Sequence, residues 1–173
     1  YRMGLVNLTR EKHREALEMF RSVVVDEELK EEDNPFAVSL ETKTVKSSLK
    51  REALIDSIRA YTYVFKENPD PVAYYAAICP TEVLFQEVIE KLAYRYIALK
   101  KYEHAVGLLR TLSERIADPQ KVMNIYHEVL LAIPLAERID IPVQEIRFVL
   151  EKYNLWTNYY DLPSKVKQEA SVF

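Results

Sequence analysis

The chain has 173 residues, a mass of 20.3 kDa, 49% hydrophobic and 29% charged residues, and a formal net charge of −3. That is enough apolar sequence for a packed domain and too much for a disordered chain. Only two residues are glycine, against a usual ~7%, which excludes folds built on tight glycine turns, phosphate loops or dinucleotide fingerprints and leaves an all-α chain.

The acidic balance, with a pI near 5.7, gives no electrostatic footprint for nucleic acid, because the basic cluster Lys43, Lys46, Lys50 and Arg51 has acids around it. Cys79 is the sole cysteine, so no intrachain disulfide can form. No apolar run approaches the ~18 residues of a membrane span. No basic-then-apolar signal peptide opens the chain. It starts at Tyr1 without methionine, which reads as a piece of a longer protein or a processed form.

In chain order, residues 1–25 read as two amphipathic helices. Tyr1, Leu5 and Leu8 form one apolar stripe, and Ala16, Met19, Phe20 and Val23 the next, with Thr9 to His13 as the turn. Residues 26–46 change character: an acidic run from Asp26 to Asp33, then Asn34-Pro35, then Ser/Thr/Lys-rich sequence. This reads as a charged linker or inserted loop. Helical periodicity resumes at Ser47, with Leu54, Ile58, Tyr61 and Phe65 on one stripe, and Asn68-Pro69-Asp70-Pro71 ends that helix. Val72 to Cys79 is a short segment stopped by Pro80. Thr81 is an N-cap for a helix to about Leu99, and Tyr102 to Ala117 is the next. Asp118-Pro119 pairs an N-cap with a proline at the first helical position of another. Pro134 and Pro142 punctuate that helical stretch, and Val143 to about Tyr160 is the last helix.

The chain also repeats itself. Met3-Gly4 precedes Ala16-x-x-x-Phe20, and Ile89-x-x-Leu92-Ala93-x-x-Tyr96 precedes Ala105-x-x-x-Leu109. Gly4 to Ala16 and Ala93 to Ala105 are both 12 residues. This spacing of small residues and aromatics resembles the tetratricopeptide repeat (TPR), a 34-residue helix–turn–helix unit. The family's tyrosine position is Asn7 in the first unit and Tyr96 in the later one. Its terminal proline is absent from the first unit and shifted to Pro119 in the later one. Ala16 and Ala105 are 89 residues apart, which exceeds two periods of 34 by 21, the length of the 26–46 stretch. The segments Lys50 to Asp56 and Leu92 to Tyr96 also look like envelope-associated TPR proteins of delta-proteobacteria, of the adventurous gliding-motility type.

The resemblance implies an all-α fold, a right-handed α-solenoid of antiparallel helix–turn–helix hairpins. They divide into a hairpin at 1–25, the linker or insertion at 26–46, and irregular hairpins at 47–173 with the best repeat at 86–119. It implies a concave face that holds a segment of a partner protein. On that face the family pattern places Glu87, Glu90, Tyr94, Ile97 and Ala98 in the best unit, and Tyr1, Leu5 and Leu8 in the first. It implies neither cofactor nor metal, and an envelope or periplasmic setting, with a cytoplasmic one left open.

Residues that carry chemistry do not assemble into a catalytic set. His13 and His104 each lie beside the turn of a repeat and read as solvated. His127-Glu128 lacks a second histidine four residues on. Ser47-x-x-Lys50 has serine–lysine hydrolase spacing without its companion motifs, so Ser47 reads as a helix cap. Cys79 reads as a small buried hydrophobe, and the Asp26–Asp33 run lacks the spacing and glycine of a calcium loop, so it reads as a mobile connector. The tyrosines read as repeat packing with some lining a surface, and Trp156 as closing the last helix. The expectation is a non-catalytic interaction scaffold with a protein partner. A regulatory domain of a larger enzyme and a structural or self-assembling spacer are the alternatives.

Overall fold

A computed structural model describes residues 1–25, 40–67 and 69–153, without the side chains of 40–46 and 135–136. The described residues are helical, with no strand among them. The helices are α1 (Arg2–Thr9), α2 (His13–Val25), α3 (Leu40–Val64), α4 (Pro71–Ile78), α5 (Glu82–Ala98), α6 (Tyr102–Arg115), α7 (Pro119–Leu131), α8 (Leu135–Arg138) and α9 (Asp140–Lys152). The chain divides into two compact units, Tyr1–Lys91 and Leu92–Phe173, and the division falls within α5.

In the first unit α1 and α2 form a hairpin, and α2 packs along α3 and against α4. The hairpin closes tightly because Gly4 has no side chain. A Cβ there would stand 2.7 Å from Phe20 Cε1, and Phe20 and Ala16 are fully buried. From α3, Ala53, Leu54, Ile58 and Tyr61 enter the core, as their helical spacing predicts, while Phe65 stays 37% exposed at the edge. Asp70 caps α4 by accepting from the Ala73 N–H at 3.1 Å, with Pro71 at the first turn. Cys79 is extended before Pro80.

In the second unit α6 packs on α7 and α7 on α9. Ala93, Ala105, Leu109, Tyr126 and Val129 are fully buried. On the first-unit side of the division, Thr81 Oγ1 caps α5, accepting from the Leu84 N–H at 3.3 Å. Asp118 Oδ1 caps α7, accepting from the Gln120 N–H at 3.0 Å.

The two hairpin turns are alike in backbone detail. In the first, Glu11 adopts φ 59°, Lys12 N–H donates to the Asn7 carbonyl at 2.9 Å, and Glu11 N–H donates to Leu8 at 3.2 Å. In the second, Lys100 adopts φ 59°, Lys101 N–H donates to the Tyr96 carbonyl at 2.8 Å, and Lys100 N–H donates to Ile97 at 2.8 Å. This is the Schellman closure, with a left-handed residue just past the helix end. Each pair of equivalent residues lies 89 positions apart, the offset read from the small residues.

Two element boundaries differ from expectation. Helix α3 begins at Leu40 rather than Ser47. Residues 40–46 contain neither glycine nor proline, and threonine costs a helix only a few tenths of a kcal/mol. Ser47 is therefore inside a helix and does not cap it; the neighbouring Ser48 hydroxyl instead reaches Glu52 one turn on, at 3.3 Å. Helix α9 begins at Asp140 and takes Pro142 into its first turn, where a missing N–H costs no intrahelical bond. Residues 26–39 of the expected 26–46 connector lie outside the described residues, as do Trp156, Tyr159 and Tyr160.

Candidate functional site

Helix α5 carries most of the expected partner-facing residues. Glu87, Glu90 and Tyr94 are half-buried and Ala98 is exposed, at spacings that keep them on one face of a 3.6-residue helix. Ile97 departs from the expectation. It is 6% exposed and belongs to the core, one residue before the face that Ala98 occupies.

Within the first unit Glu87 is engaged by Arg51 of α3, whose Nε donates to Glu87 Oε2 at 2.9 Å while Nη2 pairs with Oε1. Within the second unit the Tyr94 hydroxyl donates to Glu128 Oε2 of α7 at 3.4 Å.

The expected first-unit surface is largely occupied by its own chain. Leu8 is 8% exposed and is core. The Tyr1 hydroxyl donates to Asp56 Oδ2 at 2.5 Å, and its ring tilts against Phe20. That hydrogen bond, with burial, raises the Tyr1 pKa to about 12. Leu5 is half-buried.

Six cross-helix polar contacts, one in the first unit and five in the second, share nearly one spacing, whereas Tyr1–Asp56 spans 55 residues and Lys152–Ser113 39. Arg51–Glu87 spans 36 residues, Tyr94–Glu128 34, Arg138–Glu103 35, Tyr102–Glu137 35, Lys100–Glu137 37 and Arg110–Glu145 35. Most are solvent-exposed pairs, worth ~0–1 kcal/mol each. Arg110–Glu145 differs, because Glu145 is 2% exposed and accepts from two guanidinium nitrogens, Nη2 at 2.6 Å and Nε at 3.2 Å. The same guanidinium lies over the Phe148 ring at 5.1 Å.

The closest approach to a catalytic arrangement is at Ser113. Lys152 Nζ donates to the Ser113 hydroxyl at 2.8 Å and to its carbonyl at 2.7 Å, and the Tyr153 hydroxyl reaches that carbonyl at 3.3 Å. Ser113 is 4% exposed, and its hydroxyl already donates to the Arg110 carbonyl at 2.7 Å. The Ser113 hydroxyl is buried with its proton engaged, which makes it a poor nucleophile, and Lys152 acts as a cap on a carbonyl in the last turn of α6.

The remaining candidates are dispersed. His13 stacks on Tyr63, with centroids 4.0 Å apart and planes within 5°, so it is half-buried and not fully solvated. His104 is exposed, beside Tyr96 at 5.2 Å. Cys79 is half-buried, and burial, then the Glu82 charge, pushes its thiol up to about 12, which makes it a poor nucleophile. Among the described residues no group of His, Cys, Asp and Glu is placed to hold a metal, and no helix is long and apolar enough to cross a membrane.

Sequence reasoning missed a small pocket in the first unit, lined by Arg14, Leu17, Glu18, Arg21, Val64, Phe65 and Tyr74. Its one sequence signal is Arg14 and Arg21, seven apart on α2 and so on one face. Comparison of the chain with protein-family models, curated proteins and solved structures finds no match.

Proposed function

We propose that this chain is a non-catalytic protein-interaction scaffold. Its helical hairpins are of TPR type, stacked as a right-handed solenoid, and the α5 face holds a segment of a partner protein. One observation carries the reading: the same hairpin closure recurs at Glu11 and Lys100. Six cross-helix contacts spaced 34–37 residues apart support it, because in a repeat array equivalent side chains of neighbouring units meet about one period apart. A stack of hairpins offers mainly surface, and tyrosine gives contact area at small entropic cost.

On α5 the contacting residues are Glu90, Tyr94 and Ala98, with Glu87 held in place by Arg51. Ile97 supports the helix from the core. Acidic and tyrosine side chains together favour a segment with apolar anchors and basic charge. An envelope or motility assembly is the setting that fits the narrower resemblance.

The test is pull-down from the native source with wild type and a Tyr94→Ala, Glu90→Lys double variant, both checked by melting curves. Tyr94→Ala alone is expected to weaken capture by at least ~1 kcal/mol. Equal recovery of every partner by a folded double variant would move the binding surface off α5.

A further inference from the structure

The pocket on the first unit is lined by α2, the C-terminal end of α3 and Tyr74 of α4. It is half-open and holds about 140 Å³, the scale of a cavity that admits one benzene-sized group. Leu17, Val64, Phe65 and Tyr74 form its apolar wall. Two of them, Phe65 and Tyr74, pack with Tyr61 and Tyr75 behind the wall at centroid distances of 4.9–5.8 Å.

The rim is charged. Arg14 and Arg21 lie two turns apart on α2, about 10.5 Å along its axis, with Glu18 between them. Both arginines are exposed. Neither has an ion-pair partner among the described residues, whereas Arg51, Arg110 and Arg138 each hold a carboxylate. Arg21 is also near enough to the Tyr74 hydroxyl to act on it electrostatically. Two exposed guanidiniums flanking an apolar slot complement carboxylates flanking an apolar side chain.

We propose that this pocket is a docking site for an extended protein segment carrying one leucine- or phenylalanine-sized side chain between acidic residues. The apolar side chain enters the slot between Phe65 and Leu17. The flanking carboxylates meet Arg14 and Arg21. Glu18 faces the backbone of the segment, where it can accept an N–H and keeps a carboxylate out of the slot itself. This site has the opposite charge preference from the α5 face and stands whether or not that face binds.

The experiment uses the full chain, isotope-labelled, titrated with a synthetic peptide bearing leucine and phenylalanine between aspartates and glutamates. A second peptide replaces every acid by lysine. The expected result is saturable amide shifts centred on Leu17, Val64, Phe65 and Tyr74 with the acidic peptide only. An Arg14→Glu, Arg21→Glu variant, whose exposed changes leave the melting temperature unaltered, should bind at least about tenfold more weakly. Phe65→Ala should weaken binding without altering the charge preference. Equal binding of the basic peptide, unchanged affinity in the double variant, or no shift at millimolar acidic peptide would each overturn the proposal. Pocket shifts that depend on protein concentration without peptide would assign the site to a second copy of the chain and also overturn it.

Discussion

At the scale of single residues, two backbone positions decide how the hairpins close. Gly4 faces Phe20 so closely that a methyl group would stand 2.7 Å from one ring carbon and 2.9 Å from another. Phe20 is fully buried, so the ring cannot swing into solvent. Helix propensity favours alanine over glycine by ~0.8–1.0 kcal/mol, whereas overpacking costs about 1–3 kcal/mol. The clash wins, and Gly4→Ala is expected to shift the denaturant midpoint downward; a variant more stable than wild type would show that α1 sits farther from α2. Glu11 has the opposite defect, a side chain at φ 59°. The left-handed conformation costs about 1–2 kcal/mol, of which glycine recovers all but the ~0.4–1 kcal/mol it adds to unfolded-chain entropy. Glu11→Gly should therefore stabilise by about 0.5–1 kcal/mol. Lys100→Gly should gain less, since it also removes the 2.8 Å pair to Glu137. A loss at Glu11, measured by chemical denaturation, would contradict the left-handed closure.

At the scale of elements, charged clamps join helices within the second unit. Arg138, just before α9, donates to Glu103 of α6 at 2.8 Å and with two nitrogens to Asp140 at 3.0 Å each. Hydrogen bonds from Arg138 hold the Glu103 and Asp140 carboxyls below their usual range, and those from Lys100 and Tyr102 do the same for Glu137. A carboxyl with a lower pKa folded than unfolded stabilises the fold above its unfolded value, and that contribution is lost as pH falls through the folded one. Wild type should lose melting temperature below about pH 5. Arg138→Met should lose less over the same range, and its deficit at neutral pH should shrink at high salt. Parallel pH profiles for the two proteins would contradict the clamp.

The Arg110–Glu145 contact behaves differently because its carboxylate is buried. Arg110→Met leaves that acid without its donors, at an expected cost of about 1–3 kcal/mol by chemical denaturation, and an unchanged stability would mean that Glu145 finds other partners. Capping was the legible part of these elements: Thr81 and Asp118-Pro119 start helices where their chemistry says they should. Where α3 begins was not legible, since Ser and Thr favour caps and loops in isolation yet continue a helix that no proline interrupts.

At the scale of the molecule, glycine poverty and 3.6-residue periodicity made the all-helical class readable, and the 89-residue offset located two matching turns. The surface was less readable. Ile97 and Leu8 fit a partner-facing register but are buried, because helical spacing places a residue on a face to within about 100° and a neighbouring helix decides which edge of that face it covers. The pocket beside Phe65 was invisible for the same reason: its stripe spacing marks it as core, and only the end of α3 leaves it half uncovered. As proposed, α5 is the surface that holds a partner. That proposal is tested most directly by placing a photo-crosslinking side chain at Ala98, exposed on α5, and separately at Gly107, exposed on α6, where an added Cβ meets nothing within 4 Å. One discrete adduct is expected from position 98 in the native extract, lost with Tyr94→Ala, and none from position 107. Adducts of equal yield from both positions, or from 107 alone, would contradict it.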